Sequence, residues 1–356
     1  MTSAVNLLPK TLCSFLGRGF FLTLLIFISA CSEKTPTIHS IQGDIFGSYY
    51  IVKWAGDTDQ KVLQSKIDKL FKEMNDEFSN YQNDSVVSRF NNLKAHQKMK
   101  VSPRFIEMLE FCKKLHQVSL GAFDPTLRPV IKLWGFGGGA KKVSVAPSDE
   151  EIKLALTKVG FRNVLWDKEK LEVWKLVDDV GIDTNAFVPG WAADLIGEIL
   201  KQQQIENFMV DISGELLVKG QKSSTHTWVI GIEKPVKEKG AAIQIALKIR
   251  DQSIATSGNY RQFFEENGLR RSHIIDPRTG RPVEHQIASA TVIGKTALET
   301  DAWGTALMVL GLEGIQIADQ QQLKVMLLEA IKPGEYREVS NKLMKEYIKT
   351  NQVSVE

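Results

Sequence analysis

Apolar and polar positions alternate along the chain in segments that read as strands and helices by turns. Residues 43–54 are apolar and aromatic and are entered through two glycines, which predicts a strand. Between residues 61 and 78, Val62, Leu63, Ile67, Leu70, Phe71, Met74 and Phe78 recur at helical spacing. Asn83-Asp84-Ser85 reads as a turn, with Ser85 placed to cap a short helix. Residues 103–118 predict a second amphipathic helix, with Ser102 as cap and Pro103 in the first turn. A third helix is expected at 148–159, followed by short strands near 164–166 and 172–175. Pro189 fits a helix only in its first turn, so a helix starts there and runs to about residue 203. Residues 208–217, 227–232 and 243–249 read as strands. Thr296 and Glu299 have capping-box spacing and open a helix that Gly311 stops. Residues 324–330 predict the last strand, and the tail from Glu338 is expected to be helical. Sheets and helices interleave without a βαβ rhythm, which predicts an α+β fold in two lobes of one compact unit.

The N-terminus follows a different pattern. Lys10 and Arg18 precede an apolar run at 19–30 that is too short to span a bilayer comfortably and suits a secretory signal. The run ends in Ile28-Ser29-Ala30-Cys31, small residues before a cysteine, as in a bacterial lipoprotein box. The expected organisation is a lipoprotein signal peptide at 1–30 and a lipidated Cys31 with a polar tether at 31–40. A catalytic domain follows at 41–350. Such a chain would be lipid-anchored in a bacterial cell envelope and face the periplasm.

Composition narrows the choice of function. The chain has 356 residues, 43% hydrophobic and 24% charged, which is ordinary for a globular protein with a sizeable core. Its formal charge of +3 includes Lys10 and Arg18, so removing 1–30 leaves a nearly neutral domain. Nothing in that balance points to nucleic acid. Cys13 would leave with the signal and Cys31 would be lipidated, so Cys112 stands alone on the apolar side of a predicted helix. Walker A, dinucleotide-binding, zinc-ligand and Gly-x-Ser-x-Gly patterns are absent.

The chemistry concentrates between Ser253 and Thr305. This stretch holds a Thr256-Ser257-Gly258 turn, Arg261, Arg270, Arg271, His273, Asp276, Thr279, Asp301 and Thr305. These are phosphate donors, a titratable imidazole and oxygen ligands for a hard cation, and a packed core needs none of them. Asp301 and Thr305 share a helix face and can offer two hard oxygens to Mg2+ or Ca2+. The alternative is a surface Asp and a Thr that bonds back to the carbonyl four residues earlier. Tyr81, at a loop edge, and Phe46 can each pack in a core or lie against a flat ligand.

The segments Ala255-Thr-Ser-Gly-Asn-Tyr260, Ser272-His-Ile-Ile-Asp-Pro-Arg-Thr-Gly280 and Thr300-Asp-Ala-Trp-Gly-Thr305 closely resemble the ApbE family of FAD:protein FMN transferases. The resemblance extends in order over residues 41–330. It includes Gly43 to Tyr50, Ser79 to Asn91, Gly121 to Pro129, Ile182 to Asp194 and Val210 to Gly220. It implies that FAD is the substrate and Mg2+ the metal, and that FMN is esterified to a threonine of an acceptor protein while AMP leaves. Implied acceptors carry a D-G-A-T-like or S-G-A-T-like motif and belong to membrane redox complexes. By the same resemblance, Asp301, Thr305 and the Val188 carbonyl would bind metal. His273 would do acid–base work, with Asp276 orienting it or helping to place the metal. Phe46 and Tyr81 would flank the isoalloxazine, and Asp124, Asp183, Thr256, Ser257, Gly258 and Arg261 would contact the nucleotide. Val188-Pro189-Gly190-Trp191 departs from the family pattern, where a polar residue is usual before the glycine. Ser213 likewise replaces a common glycine. Two other readings use the same binding set: a Mg2+-dependent FAD pyrophosphatase, and a non-catalytic flavin-binding lipoprotein.

Overall fold

The first strand-like segment folds as a hairpin around Phe46-Gly47, not as one strand. Ile38–Ile45 (β1) and Ser48–Ala55 (β2) pair antiparallel, and Phe46 and Gly47 both have positive φ, 53° and 73°. A two-residue turn of that hand matches the twist of the strands it joins. Alternation alone hides it, because phenylalanine is not a residue that announces a left-handed turn. The computed structural model describes residues 37–56, 58–136, 146–235, 243–259, 274–332 and 334–354, with backbone only at 263–266 and 269–272. Cys31, Arg261, Arg270, Arg271 and His273 therefore lie outside the residues whose side chains are described.

Local capping chemistry sets most helix starts. Asp59 accepts a 2.8 Å bond from the Lys61 amide and opens α1 (Gln60–Phe78). Ser85 caps α2 (Val86–Asn92) through the Ser88 amide at 3.1 Å. The short strand β3 (Met99–Lys100) leads to α3 (Pro103–Val118), where Ser102 caps and Cys112 is buried. Then come α4 (Arg128–Leu133) and α5 (Asp149–Leu156), the latter with a reciprocal Ser148–Glu151 capping box. Strands β4 (Val164–Asp167) and β5 (Glu172–Lys175) form a small sheet with β3. Helix α6 (Val188–Gln202) carries Pro189 in its first turn.

The expected strand at 208–217 is also a hairpin, β6 (Phe208–Ile212) and β7 (Glu215–Lys219), closed by Ser213-Gly214 at φ 60° and 105°. Strands β8 (Trp228–Glu233), β9 (Ile243–Ile249) and β10 (Gln252–Gly258) follow, then two short hairpins. These are β11 (Phe263–Glu266) with β12 (Leu269–Ser272), and β13 (Ile275–Asp276) with β14 (Arg281–Pro282). The chain closes with β15 (Ile287–Gly294), α7 (Ala297–Leu310), α8 (Gly314–Gln320), β16 (Lys324–Lys332), β17 (Glu335–Ser340), α9 (Lys342–Asn351) and β18 (Gln352–Val353). The tail differs from the expected helix. Gly334, at φ 79°, turns the chain back so that β17 pairs with β16, and only then does Asn341 cap α9.

Eight strands form one antiparallel sheet in the order β1-β2-β6-β7-β10-β15-β16-β17. Both faces are apolar, and side chains alternate between two cores. Val52, Phe208, Val210, Leu217, Val292 and Val325 point to the face covered by α1, α6 and α7. Met209, Val218, Ile254, Ile293 and Met326 point to the other face, where they meet the small sheet β18-β9-β8 and Met344 of α9. What the sequence suggests as two lobes are thus two sides of one sheet within Thr37–Glu356. A satellite core of Val130, Trp134, Ile152 and Ile275 fixes the β13–β14 hairpin, and the Trp134 indole donates to the Gly280 carbonyl at 2.8 Å.

Candidate active site

On the helix-covered side, a cavity of about 430 Å³ opens between the Phe46 turn, the end of α1 and the start of α6. Phe46, Tyr81, Asp183, Val188 and Pro189, distant in sequence, all line it. Phe46 is half-buried, held edge-on against Phe71 with ring centres 6.2 Å apart. Tyr81 is 67% exposed and packs into no core. Two aromatic rings lining a slot, one of them mostly exposed, suit a flat ligand better than a core.

Side chains from several elements hold the segment that forms the far wall. The Asn91 amide group pairs with both backbone groups of Ile182, donating to its carbonyl at 2.9 Å and accepting from its amide at 2.7 Å. Buried Lys175 donates to the carbonyls of Asn91 and Val180, and burial pushes its ammonium down to about 8. The Asp183 amide donates to the Pro125 carbonyl at 2.7 Å. Asn80 donates to Asp183 Oδ1 at 3.1 Å and to Thr184 Oγ1 at 2.9 Å. Burial pushes the Asp183 carboxyl above its usual range, partly offset by the Asn185 amide and the Arg128 charge.

The first turn of α6 touches α7 without any intervening side chain. A Cβ on Gly190 would collide with the Ala297 carbonyl and stand 2.8 Å from Asp301 Cβ, so only glycine fits. In this contact the Gly190 amide donates to Asp301 Oδ2 at 2.9 Å. Asp301 is buried, and that burial pushes its carboxyl up to about 7, against the Gly190 bond that favours the charged form. One turn further along α6, Asp194 accepts from the amides of Ala297 and Leu298 at 2.8 and 2.9 Å, capping α7 from a neighbouring helix. Burial raises Asp194 to about 6. Neither its cap role nor the bridging by Asn80 is visible in sequence. The only signals are an acid one turn after Gly190 and an amide next to Tyr81.

Thr305 is half-buried on the same helix face as Asp301, and it is Thr300, not Thr305, that bonds back to the carbonyls of Thr296 and Ala297. Ser257 reaches this helix too, because a Cβ on Gly304 would stand 2.6 Å from its hydroxyl. Strand alternation sends Thr256 to the opposite face, where its hydroxyl meets that of Thr291 at 2.9 Å. Asp124 lines a second cavity with His116, Arg162 and Arg278. It accepts from the amide and hydroxyl of Thr126, and His116 Nδ1 stands 3.4 Å from its other oxygen. Asp276 closes its turn through the Arg278 amide and pairs with the Arg278 guanidinium at 2.7 Å. The structure thus joins Phe46, Tyr81, Asp183 and Val188 around one cavity and links it through α6 to Asp301. It leaves Thr256, Asp124 and Asp276 in other surroundings.

The donors at the α6–α7 junction fit a hard cation. Among the described residues no three His, Cys, Asp or Glu side chains converge. Buried Asp301, with the Thr305 hydroxyl on the same helix face, offers oxygen donors of the kind that Mg2+ accepts.

The family model for ApbE matches residues 46–327. The chain belongs to the ApbE family. It is 34% identical over 331 residues to the FAD:protein FMN transferase of Vibrio cholerae, covering 92% of this chain and 97% of that protein. It is also 34% identical to the Haemophilus influenzae enzyme of the same name, covering 86% and 90%. The solved flavin transferase ApbE from Vibrio cholerae superposes with a TM-score of 0.78 at 32% identity, covering 88% of this chain and 99% of that one. The apo flavinyl transferase ApbE of Pseudomonas stutzeri gives 0.81 at 31% identity, covering 89% and 98%. These relatives match most of this chain and nearly all of their own length.

Proposed function

We propose that this chain transfers the FMN part of FAD to a threonine hydroxyl of acceptor proteins and releases AMP. The observation that carries the reading is the joining of the Phe46–Tyr81 cavity to Asp301 through the first turn of α6, in a member of a family of named FMN transferases. The isoalloxazine lies between Phe46 and Tyr81, and the pyrophosphate extends toward the α6–α7 junction. The threonine oxygen forms a bond to the FMN-side phosphorus. The bond from that phosphorus to the bridging oxygen breaks, and AMP leaves with the bridging oxygen.

Asp301, Thr305 and the Val188 carbonyl would hold Mg2+, which when bound neutralises charge on the pyrophosphate. Their tight placement by Gly190 supplies positioning, the larger part of catalysis in phosphoryl transfer. His273 takes the threonine proton, and Arg261 and Ser257 bind phosphate oxygens. Acceptors carry a D-G-A-T-like or S-G-A-T-like motif and sit in membrane redox complexes. Lipidation of Cys31 tethers the enzyme to a membrane of the cell envelope, facing the periplasm.

The test is incubation with FAD, Mg2+ and a tagged acceptor bearing an Asp-Gly-Ala-Thr segment. The acceptor is then denatured and read for flavin fluorescence, with AMP measured alongside. A fluorescent acceptor band that EDTA abolishes supports transfer. FMN and AMP released without a band would replace transfer with hydrolysis.

A further inference from the structure

The sheet face opposite the flavin cavity is only partly covered. Beside it lies a polar groove of about 570 Å³. One wall is five consecutive residues, Val229 to Glu233 of β8. Consecutive residues point to opposite faces of a strand, so a cavity that touches all five runs along the backbone edge. Among the described residues β8 pairs only with β9, and the groove lies on its other edge. The floor is the outer face of the main sheet, where Tyr49 is 43% exposed and Lys53 is half-buried. At the bottom, Ser289 is 1% exposed, and its hydroxyl has no hydrogen-bond partner among the described residues. A strand edge left unpaired calls for backbone groups from another chain.

The groove adjoins the candidate active site. Ser213, at the tip of the β6–β7 turn, lines both the flavin cavity and the groove. Gly258, the last residue of β10, also borders the groove, directly after Ser257, which reaches α7. A chain lying along β8 therefore leads past the sheet end to the place where the threonine must arrive.

We infer that an extended segment of the acceptor protein docks in this groove as a fourth strand of the small sheet, pairing with the free edge of β8. The inference rests on the transferase reading and adds how the protein substrate is held. Main-chain pairing along an edge tolerates varied side chains, which suits an enzyme with several acceptors. The added strand also covers the exposed floor.

The test uses the full chain with FAD and Mg2+, and a peptide in which Asp-Gly-Ala-Val replaces Asp-Gly-Ala-Thr, so that it binds without reacting. Amide hydrogen exchange is measured across Trp228–Glu233. The β8 amides that point away from β9 are expected to exchange at least about tenfold more slowly with peptide bound. In parallel, Leu216→Trp fills the groove from its floor. It is expected to raise the KM for the reactive threonine peptide by about tenfold and to leave the KM for FAD unchanged. Unchanged β8 exchange at peptide concentrations that saturate wild-type transfer would overturn the docking, as would an unchanged peptide KM in Leu216→Trp. If the wild-type chain cleaves FAD but flavinylates no threonine peptide, the transferase reading itself falls, and the groove loses its substrate with it.

Discussion

The two faces of the central sheet are built from the same alternating strands but solve different problems. On one face, α6 and α7 approach until only Gly190 fits between them, and a carboxylate is sealed into the contact. On the other, a three-stranded sheet covers part of the surface and, among the described residues, leaves a strand edge and a polar floor open. Close packing fixes oxygen atoms to a fraction of an ångström, which charge neutralisation at a pyrophosphate requires. An open edge forfeits that precision and keeps room for a second polypeptide. On the proposed reading, the buried side holds what each turnover needs in one geometry, and the open side receives the acceptor segment.

This contrast sets the order of expected effects. Replacing the buried carboxylate, Asp301→Ala, is expected to lower transfer by about a thousandfold or more and to weaken FAD binding, measured by turnover and by flavin fluorescence titration. Full activity in that variant with Mg2+ present would remove Asp301 from the metal site. Next, Gly190→Ala forces a methyl group against the Ala297 backbone and is expected to cost about 2 kcal/mol in urea unfolding. Retained stability would show that the two helices can separate cheaply.

The third prediction concerns pH. Burial raises the Asp301 carboxyl to about 7 and that of Asp194 to about 6. Both bind their protons more tightly in the folded chain than in the unfolded one, where a carboxyl titrates near about 4. Their favourable contribution is therefore complete below about pH 4 and is lost as pH rises to about 7. Melting of the metal-free protein followed from pH 5 to 7.5 is expected to show this decline, and Asp301→Asn to flatten it. An unchanged slope in that variant would place the titration elsewhere.

Smaller effects belong to the rims. Tyr81→Ala is expected to raise the KM for FAD by about tenfold with no change in melting temperature, since the ring packs against no core. On the open face, Lys53→Ala is expected to shift stability by less than about 0.5 kcal/mol and to leave the KM for FAD untouched. A large loss of stability there would show that the floor is packed after all, and would erase the difference between the faces.

Much of this organisation is already present in the sequence, because capping and periodicity are local. Ser85, Ser102, Ser148 and Thr296 each mark a helix start that the structure keeps, and Gly311 ends α7 at φ 62°. Alternation marks β8 and β9 to within a residue or two. Spacing places Asp301 and Thr305 on one helix face, Phe46 and Tyr81 stand open between core and ligand, and Asp183 enters only through the family resemblance. Of these, Phe46, Tyr81 and Asp183 line the cavity and Asp301 lies at the junction beside it. Tertiary structure decides what depends on approach between distant segments. The turn at Phe46 uses a residue without the usual turn signature, and strand pairing imposes its left-handed backbone. Asn80 and Asp194 act on partners about a hundred residues away, so no local spacing exposes them. The sequence names Thr256 and Ser257 together, yet the pleat of β10 sends one to each face, because register against β15 sets the orientation of every side chain. The sequence alone determined the elements and the chemical inventory. Only the packed sheet decided which of those groups share a site, since burial and proximity are properties of the assembled fold.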